Sequence, residues 1–339
     1  MEKEPIKKPK LLDVSGYNYT GKAAIIDSLK EFSSTHVYHP KDIEFALIRM
    51  SGGLLDLHQN VYANWSPIRA DIAIKRFRSL VKVLASPKTS FLNPLSLLSP
   101  TGQNYNVILG KEFETLSNEY INLISTSRYK TYWPFPDFYA GPFRSIFIKI
   151  LNILNKNNNE YEPAYNSNFC SITSNYLDKV LTLQQKKAEL IVTSNALEVF
   201  DPVTSLNLFE NYKLIRVDRN PIDSYLSSIV HLTLSEKEHA RRIGEFIERY
   251  DKYHQISNRH FHGHPRCLDI SFEEYVLDYP AELEKIIKFA DLNKEDHCDK
   301  FKFFSPSLSK INLLKEFKFP HLFENFPDTL SDYKNKVGK

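Results

Sequence analysis

Cysteine is scarce in this chain. The three present, Cys170, Cys267 and Cys298, are far apart and odd in number, which suits reduced thiols in a cytoplasm better than a disulfide framework. Charge imbalance is lacking too: 44 Lys and Arg against 41 Asp and Glu leave a net +3, too little to imply a nucleic-acid partner. Any anion site must therefore come from local clustering. No apolar stretch approaches the ~18 residues that a membrane span needs, and the first ten residues are too charged for a secretory leader. The expectation is a cytoplasmic protein with at most peripheral contact to a membrane. No repeat of solenoid type is visible. What is present, 339 residues with 42% hydrophobic and 13% aromatic content, suffices for one large α/β core or two smaller ones.

Strand signals fall at residues 10–15, 43–50, 188–194, 213–218 and 266–271, each short, apolar and followed by a polar turn and a helical pattern. Such runs belong to a parallel sheet buried on both faces. The expected fold class is therefore α/β, a P-loop-type parallel sheet flanked by helices. Between the strand groups, residues 60–185 show helical periodicity, as in Ile68, Ile72, Leu80, Val81 and Leu84, then Phe143, Phe147, Ile150, Leu151 and Leu154. We read 1–339 as a single domain with 60–185 as a helical insertion, and Asn155–Asn159 as an exposed loop.

The most informative segment is Lys213-Leu-Ile-Arg-Val-Asp-Arg-Asn-Pro-Ile-Asp-Ser-Tyr-Leu-Ser-Ser228. Leu214, Ile215 and Val217 make a strand; Pro221 fits the first helical position, where no N–H is needed; Asn220 becomes the N-cap. Asp223 complements the positive helix end. Ser227, almost two turns beyond Asn220, shares the cap's stripe, and Arg219 adds a planar fork suited to two phosphate oxygens. Without the motif, this is an ordinary turn with a surface arginine. The order Arg219-x-Pro221-x-Asp223-x-x-x-Ser227 resembles the 3′-phosphate-binding segment of PAPS-dependent sulfotransferases, and residues 267–290 resemble that family's strand, acidic turn and helix.

The resemblance implies a second site for the donor's 5′-phosphosulfate. Leu11–Ser15, the loop Gly16-Tyr-Asn-Tyr19-Thr20-Gly21-Lys22, and the helical pattern from Ala23 read as strand, glycine-bounded loop and helix. The spacing Gly16 to Gly21-Lys22 meets seven positions of a nucleotide-binding P-loop, but the eighth, normally Ser or Thr, is Ala23. That missing hydroxyl would ligand Mg²⁺ in a kinase, so Ala23 weighs against the alternative of a P-loop nucleotide kinase. Sulfuryl transfer can rely on a lysine and amides instead. The family commonly places its catalytic lysine before the loop glycine, where this chain has Tyr19 and Thr20, so the role falls to Lys22 by proximity. A non-catalytic nucleotide-binding relative is a further reading.

A hydroxyl acceptor needs a base, and the resemblance implies Glu or His. Glu44, opening the apolar run Glu-Phe-Ala-Leu-Ile-Arg-Met, is the first candidate for the base; His36, His39 and His58 are alternatives. Ser194-Asn195 is a candidate contact at a strand end. Lys310, in Ser309-Lys-Ile-Asn312, resembles the stretch that covers the donor's nucleotide and would add a second positive charge near the 3′-phosphate. His260, His262 and His264 alternate before Pro265, but no acid or cysteine cluster accompanies them, so no metal is expected. The basic run of Lys75, Arg76, Arg78 and Lys82 reads as a solvated face. The reading as a whole is a cytoplasmic enzyme that uses PAPS, with a hydroxyl acceptor, a saccharide of the cell envelope, as its small-molecule partner.

Overall fold

Burial on both faces dictates the first element. The computed structural model describes residues 8–17, 19–43, 45–87, 102–125, 127–131, 143, 145–146, 150, 159–184, 187–261 and 263–337. Strand β1 (Lys10–Gly16) is buried from Leu11 to Ser15, as its apolar run requires. Its one carboxylate, Asp13, is fully buried and accepts hydrogen bonds from Thr193 Oγ1 at 2.7 Å and from the amides of Ala196 at 2.9 Å and Leu197 at 3.2 Å. Burial raises its pKa, against the pull of these donors. Helix α1 (Lys22–Leu29) and strand β2 (Thr35–Val37) follow.

Residues 46–186 form a compact unit of their own. It contains α2 (Leu54–Leu57), a π-helical turn (His58–Ala63), α3 (Pro67–Ala85), α4 (Tyr105–Ile108), α5 (Phe113–Ile124), the antiparallel pair β3 (Tyr129–Thr131) and β4 (Asn159–Tyr161), and α6 (Phe169–Thr182). In α3 the buried face carries Ile74, Phe77, Val81 and Leu84, whereas Ile68, Ile72 and Leu80 are only half-buried. Glu162 is the unit's buried charged hub. Arg78 and Arg128 pair with it, and its amide donates to Asp71 Oδ1 at 3.0 Å. Of the second expected helical stripe, Phe147, Leu151 and Leu154 lie outside the described residues, and Phe143 and Ile150 are exposed. Asn155–Asn158 also lie outside them, and Asn159 opens β4 instead of closing a loop.

The other unit, residues 1–45 and 187–339, resumes with β5 (Leu190–Ser194), α7 (Pro202–Leu208), β6 (Tyr212–Asp218), α8 (Pro221–Ser228), α9 (Glu236–Phe261), β7 (Cys267–Ser271), α10 (Phe272–Leu277) and α11 (Tyr279–Ala290). Short 3₁₀ turns lead to α12 (Pro327–Val337). Its five strands pair in parallel in the order β2-β5-β1-β6-β7. On one face Ile25, Ile26 and Leu29 of α1 pack with Leu12, Val14, Ile215 and Ile286. A second cluster joins Ile222 and Tyr225 of α8 to Ile243, Phe246 and Phe323. Each such side chain contributes roughly 1.5–3 kcal/mol on burial. Gly16 lies opposite Val217, so the turns after β1 and β6 are neighbours at the carboxyl edge of the sheet.

The strand expected at 43–50 is corrected. The described residues there form turns, with Met50 N donating to Ala46 O and Gly53 N to Met50 O, and the strand beside β5 is Thr35–Val37. The run straddles the boundary between the two units, where apolar residues are buried without pairing in a sheet.

Candidate active site

The turn from β6 into α8 follows local chemistry closely. The Asn220 side chain accepts from Ile222 N at 2.9 Å, Pro221 opens the helix, and Asp223 sits in the first turn. Arg219, one residue past the strand, is 6% exposed. Its Nη1 donates to Ser227 Oγ at 2.9 Å and to the Tyr19 carbonyl at 3.2 Å, and its Nη2 donates to the Lys310 carbonyl at 2.8 Å. The guanidinium lies 4.7 Å from the centre of the Phe272 ring, and its buried Nε has no partner. Burial pulls the Arg219 pKa below its ordinary value, opposed by Asp223 and Glu273. Arg219 therefore reaches the loop after β1 as well as its own helix.

That loop is tight. A Cβ on Gly16 would meet Thr20 Oγ1 at 2.3 Å and the Val217 carbonyl at 2.7 Å. Gly21 has φ +87°, and a Cβ there would strike the Phe272 ring at 2.3 Å, so both positions exclude larger residues. Tyr19 takes the left-handed conformation at φ 57° and is 48% exposed, while Thr20 is buried with its hydroxyl unpartnered. Helix α1 starts at Lys22 with no side-chain cap and no acid in its first turn; Lys22 is half-buried and Ala23 exposed. An uncapped helix start of this kind suits an anion.

The third component is the segment around Lys310. Asp223 accepts from Asn312 N and Leu313 N, both at 2.9 Å, and from the Tyr333 hydroxyl at 3.1 Å. Asp223 thus holds this segment onto α8, beyond the helix-dipole role that its position suggested. Arg219 engages the main-chain carbonyl of Lys310; Lys310 also lines, with Ser227, a cleft of about 580 Å³.

Several contributors were not legible as site residues. Phe272 forms a wall shared by Gly21 and Arg219. Glu273 accepts from Asn220 N at 2.8 Å. On α9 the Tyr250 hydroxyl lies 2.7 Å from Asp218 Oδ1 and also against the Arg219 carbonyl, and His254 Nε2 is 3.1 Å from Asp218 Oδ1. Tyr17 packs edge-on against Tyr250. The spacing of Tyr250 and His254, one helical turn apart, was the available signal.

The base candidates separate. Glu44 and His262 lie outside the described residues. His39 accepts from Lys41 N at 3.1 Å and lies 3.2 Å from Asp27 Oδ1, and burial lowers its pKa. Burial also lowers His36, which packs edge-on against Tyr38. His58 belongs to the helical unit, beside Tyr62 and Phe169, and is lowered by burial too. Asn195, at φ 51°, accepts from Gly16 N at 3.4 Å, tying the end of β5 to the loop. Among the described residues, no three His, Cys, Asp or Glu side chains gather as a metal site would require.

Comparison with known proteins bears on this geometry. Residues 153–296 match the model of the family described as "Sulfotransferase family", a stretch that includes β5, β6, Arg219, Ser227 and β7. The match spans less than half of the chain, and over that stretch the chain is similar to the sulfotransferase family. No curated protein sequence matches the chain. Similar solved structures include the sulfotransferase domain of the Synechococcus PCC 7002 olefin synthase, at 13% identity over 97% of this chain and 95% of that one, with a TM-score of 0.39. Sulfotransferase STF9 from Mycobacterium avium matches at 13% identity over 96% and 77%, with a TM-score of 0.38. A sulfotransferase from Alicyclobacillus acidocaldarius matches at 11% over 98% and 97%, with a TM-score of 0.36. Overlays this loose carry no residue correspondences. Among the described residues no helix is long and apolar enough to cross a membrane.

Proposed function

We propose that the chain moves the sulfuryl group of PAPS to a hydroxyl of a cell-envelope saccharide, in the cytoplasm, with 60–185 as a helical insertion in a single sulfotransferase-like domain. The observation that carries the reading is Arg219, whose one guanidinium touches both the Gly16–Lys22 loop and Ser227. Two anion-binding turns on neighbouring strands suit a donor with phosphate at both ends of its nucleoside. The unpartnered Arg219 Nε and Thr20 hydroxyl are the buried polar atoms that ligand oxygens would satisfy.

In this scheme Arg219 and Ser227 hold the 3′-phosphate. Gly16, Tyr19, Thr20, Gly21 and Ala23 shape the loop around the phosphosulfate, and Lys310 borders the nucleotide. The bond between sulfur and the bridging phosphate oxygen breaks as the acceptor oxygen bonds to sulfur. Lys22 stabilises the phosphate that leaves, and Glu44 accepts the acceptor's proton. In-line displacement then depends on positioning and charge.

Calorimetry with adenosine 3′,5′-bisphosphate tests the donor site. Binding by the wild type and its loss in Arg219→Ala support the reading; equal binding by both defeats it. Sulfate transfer should survive an excess of chelator, whereas the kinase reading requires that activity stop.

A further inference from the structure

The helical unit carries an aromatic surface that the transfer scheme does not use. Residues 57–68 and 163–177 contain no Asp, Glu, Lys or Arg, and both interleave amides with aromatics, as in Gln-Asn-Val-Tyr-Ala-Asn-Trp and Tyr-Asn-Ser-Asn-Phe. The fold brings these two stretches together. Trp65 Nε1 donates to the Ala164 carbonyl at 2.8 Å, and the Trp65 and Tyr165 rings meet edge-on at 5.7 Å. Tyr62 lies nearly parallel to Phe169 at 6.1 Å, and Tyr62 belongs to the π-helical turn, a distortion frequent at functional sites. Even so, Tyr62, Trp65 and Tyr165 remain 38%, 43% and 51% exposed.

Three physical points define what such a surface takes. The Trp65 N–H is spent inside the protein, so the ring is held in place and offers solvent a rigid apolar area that loses little entropy on binding. Neither stretch itself contributes a charged side chain. Asn64, exposed, adds an amide able to donate and accept at hydroxyl groups, while the Asn166 amide donates to the Leu123 carbonyl and accepts from Asn168 N. Flat apolar rings beside a neutral amide complement a pyranose, which has a C–H face and a hydroxylated rim. A long aliphatic ligand would leave the Asn64 amide unpaired.

We propose that Tyr62, Trp65 and Tyr165 form a platform that binds a neutral saccharide. The inference rests on the transfer reading only in taking that saccharide to be the acceptor or the glycan that bears it.

The full chain is titrated by calorimetry with maltohexaose, chitotetraose and mannotriose, alongside Trp65→Ala and the surface variant Tyr165→Ala, with circular dichroism to show that each variant is folded. At least one saccharide should bind the wild type. Affinity should fall on the order of tenfold or more in Trp65→Ala and by a smaller factor in Tyr165→Ala, as truncation of aromatic anchors does. Binding of adenosine 3′,5′-bisphosphate should be unchanged in both. If Trp65→Ala is unfolded, the Tyr165→Ala result decides. Failure of all three saccharides to bind the wild type, or binding indifferent to the substitutions in folded protein, overturns the platform. Saccharide binding that depends on Trp65, in a protein that does not bind the bisphosphate, leaves the platform standing and defeats the transfer reading.

Discussion

Two strand-to-helix turns lie side by side at the carboxyl edge of the sheet, and they are finished differently. The β6–α8 turn is closed. Asn220 caps the helix, Glu273 takes the Asn220 amide, and Asp223 already supplies negative charge in the first turn. The β1–α1 turn is open, with no side-chain cap, no acid in the first turn, and a Thr20 hydroxyl without a partner. A helix end with its own carboxylate gains little from another anion, while an uncapped end gains more. Under the proposed function the difference divides the labour: at α1 the backbone would attract the anion, whereas at α8 a side chain, Arg219, would do so.

The largest expected effects fall on the two residues proposed for the chemistry, of which Lys22 opens the helix at the open turn. Lys22→Ala and Glu44→Ala should each reduce turnover by on the order of 10²–10³ in kcat, with the calorimetric Kd for the bisphosphate nearly intact in Glu44→Ala and weakened in Lys22→Ala, whose lysine meets the 5′-phosphate that the bisphosphate retains. Turnover near wild type in either variant removes that residue from the chemistry. On the closed turn, Arg219→Ala should weaken bisphosphate binding by about 100-fold, and Ser227→Ala by about tenfold or less, because the arginine carries the charge and the serine one neutral bond. Equal losses would show that the charge of Arg219 does not dominate capture at this turn.

Asp223→Ala tests the closed turn as architecture. It strips partners from two amides and the Tyr333 hydroxyl, and should lower stability by about 2–4 kcal/mol in urea unfolding. An unchanged midpoint would show that the Lys310 segment does not depend on this carboxylate. The smallest effect concerns pH. Burial works to raise the Asp218 pKa, but His254, the Tyr250 hydroxyl and the Arg219 amide outweigh it, and the folded value lies below the ordinary 3.8. The stability this gives is full above the unfolded value and is lost as pH falls through the lower folded one. Asp218→Asn should therefore flatten the acid limb of a stability–pH curve, and an unaltered limb would count against the pairing.

Much of this architecture was readable because local chemistry and tertiary structure agree. The strands around Leu12, Ile191, Ile215 and Ile270 announce themselves by apolar runs, and Asn220-Pro221 marks a helix start by capping alone. The run after Glu44 misled because apolar content records burial and not pairing, and turns bury Phe45, Leu47 and Ile48 as fully as a strand would. Phe272 could not be found as part of the site, since a phenylalanine after a strand carries no sign of which loop it will support. Asp223 was visible as a helix-end acid, but its bonds to Asn312 and Leu313 join positions about 90 residues apart, and nothing local encodes them.

The contacts of Arg219 also impose an order of assembly. One guanidinium joins residue 19, which is 200 positions earlier in the chain, to residue 310, which is 91 positions later. Loops of that length close late, after local helices and hairpins have formed. During synthesis the pocket therefore stays unfinished until its last clasp has left the ribosome, and a nascent chain stopped short of residue 310 holds a buried cation with one of its carbonyl partners still to come.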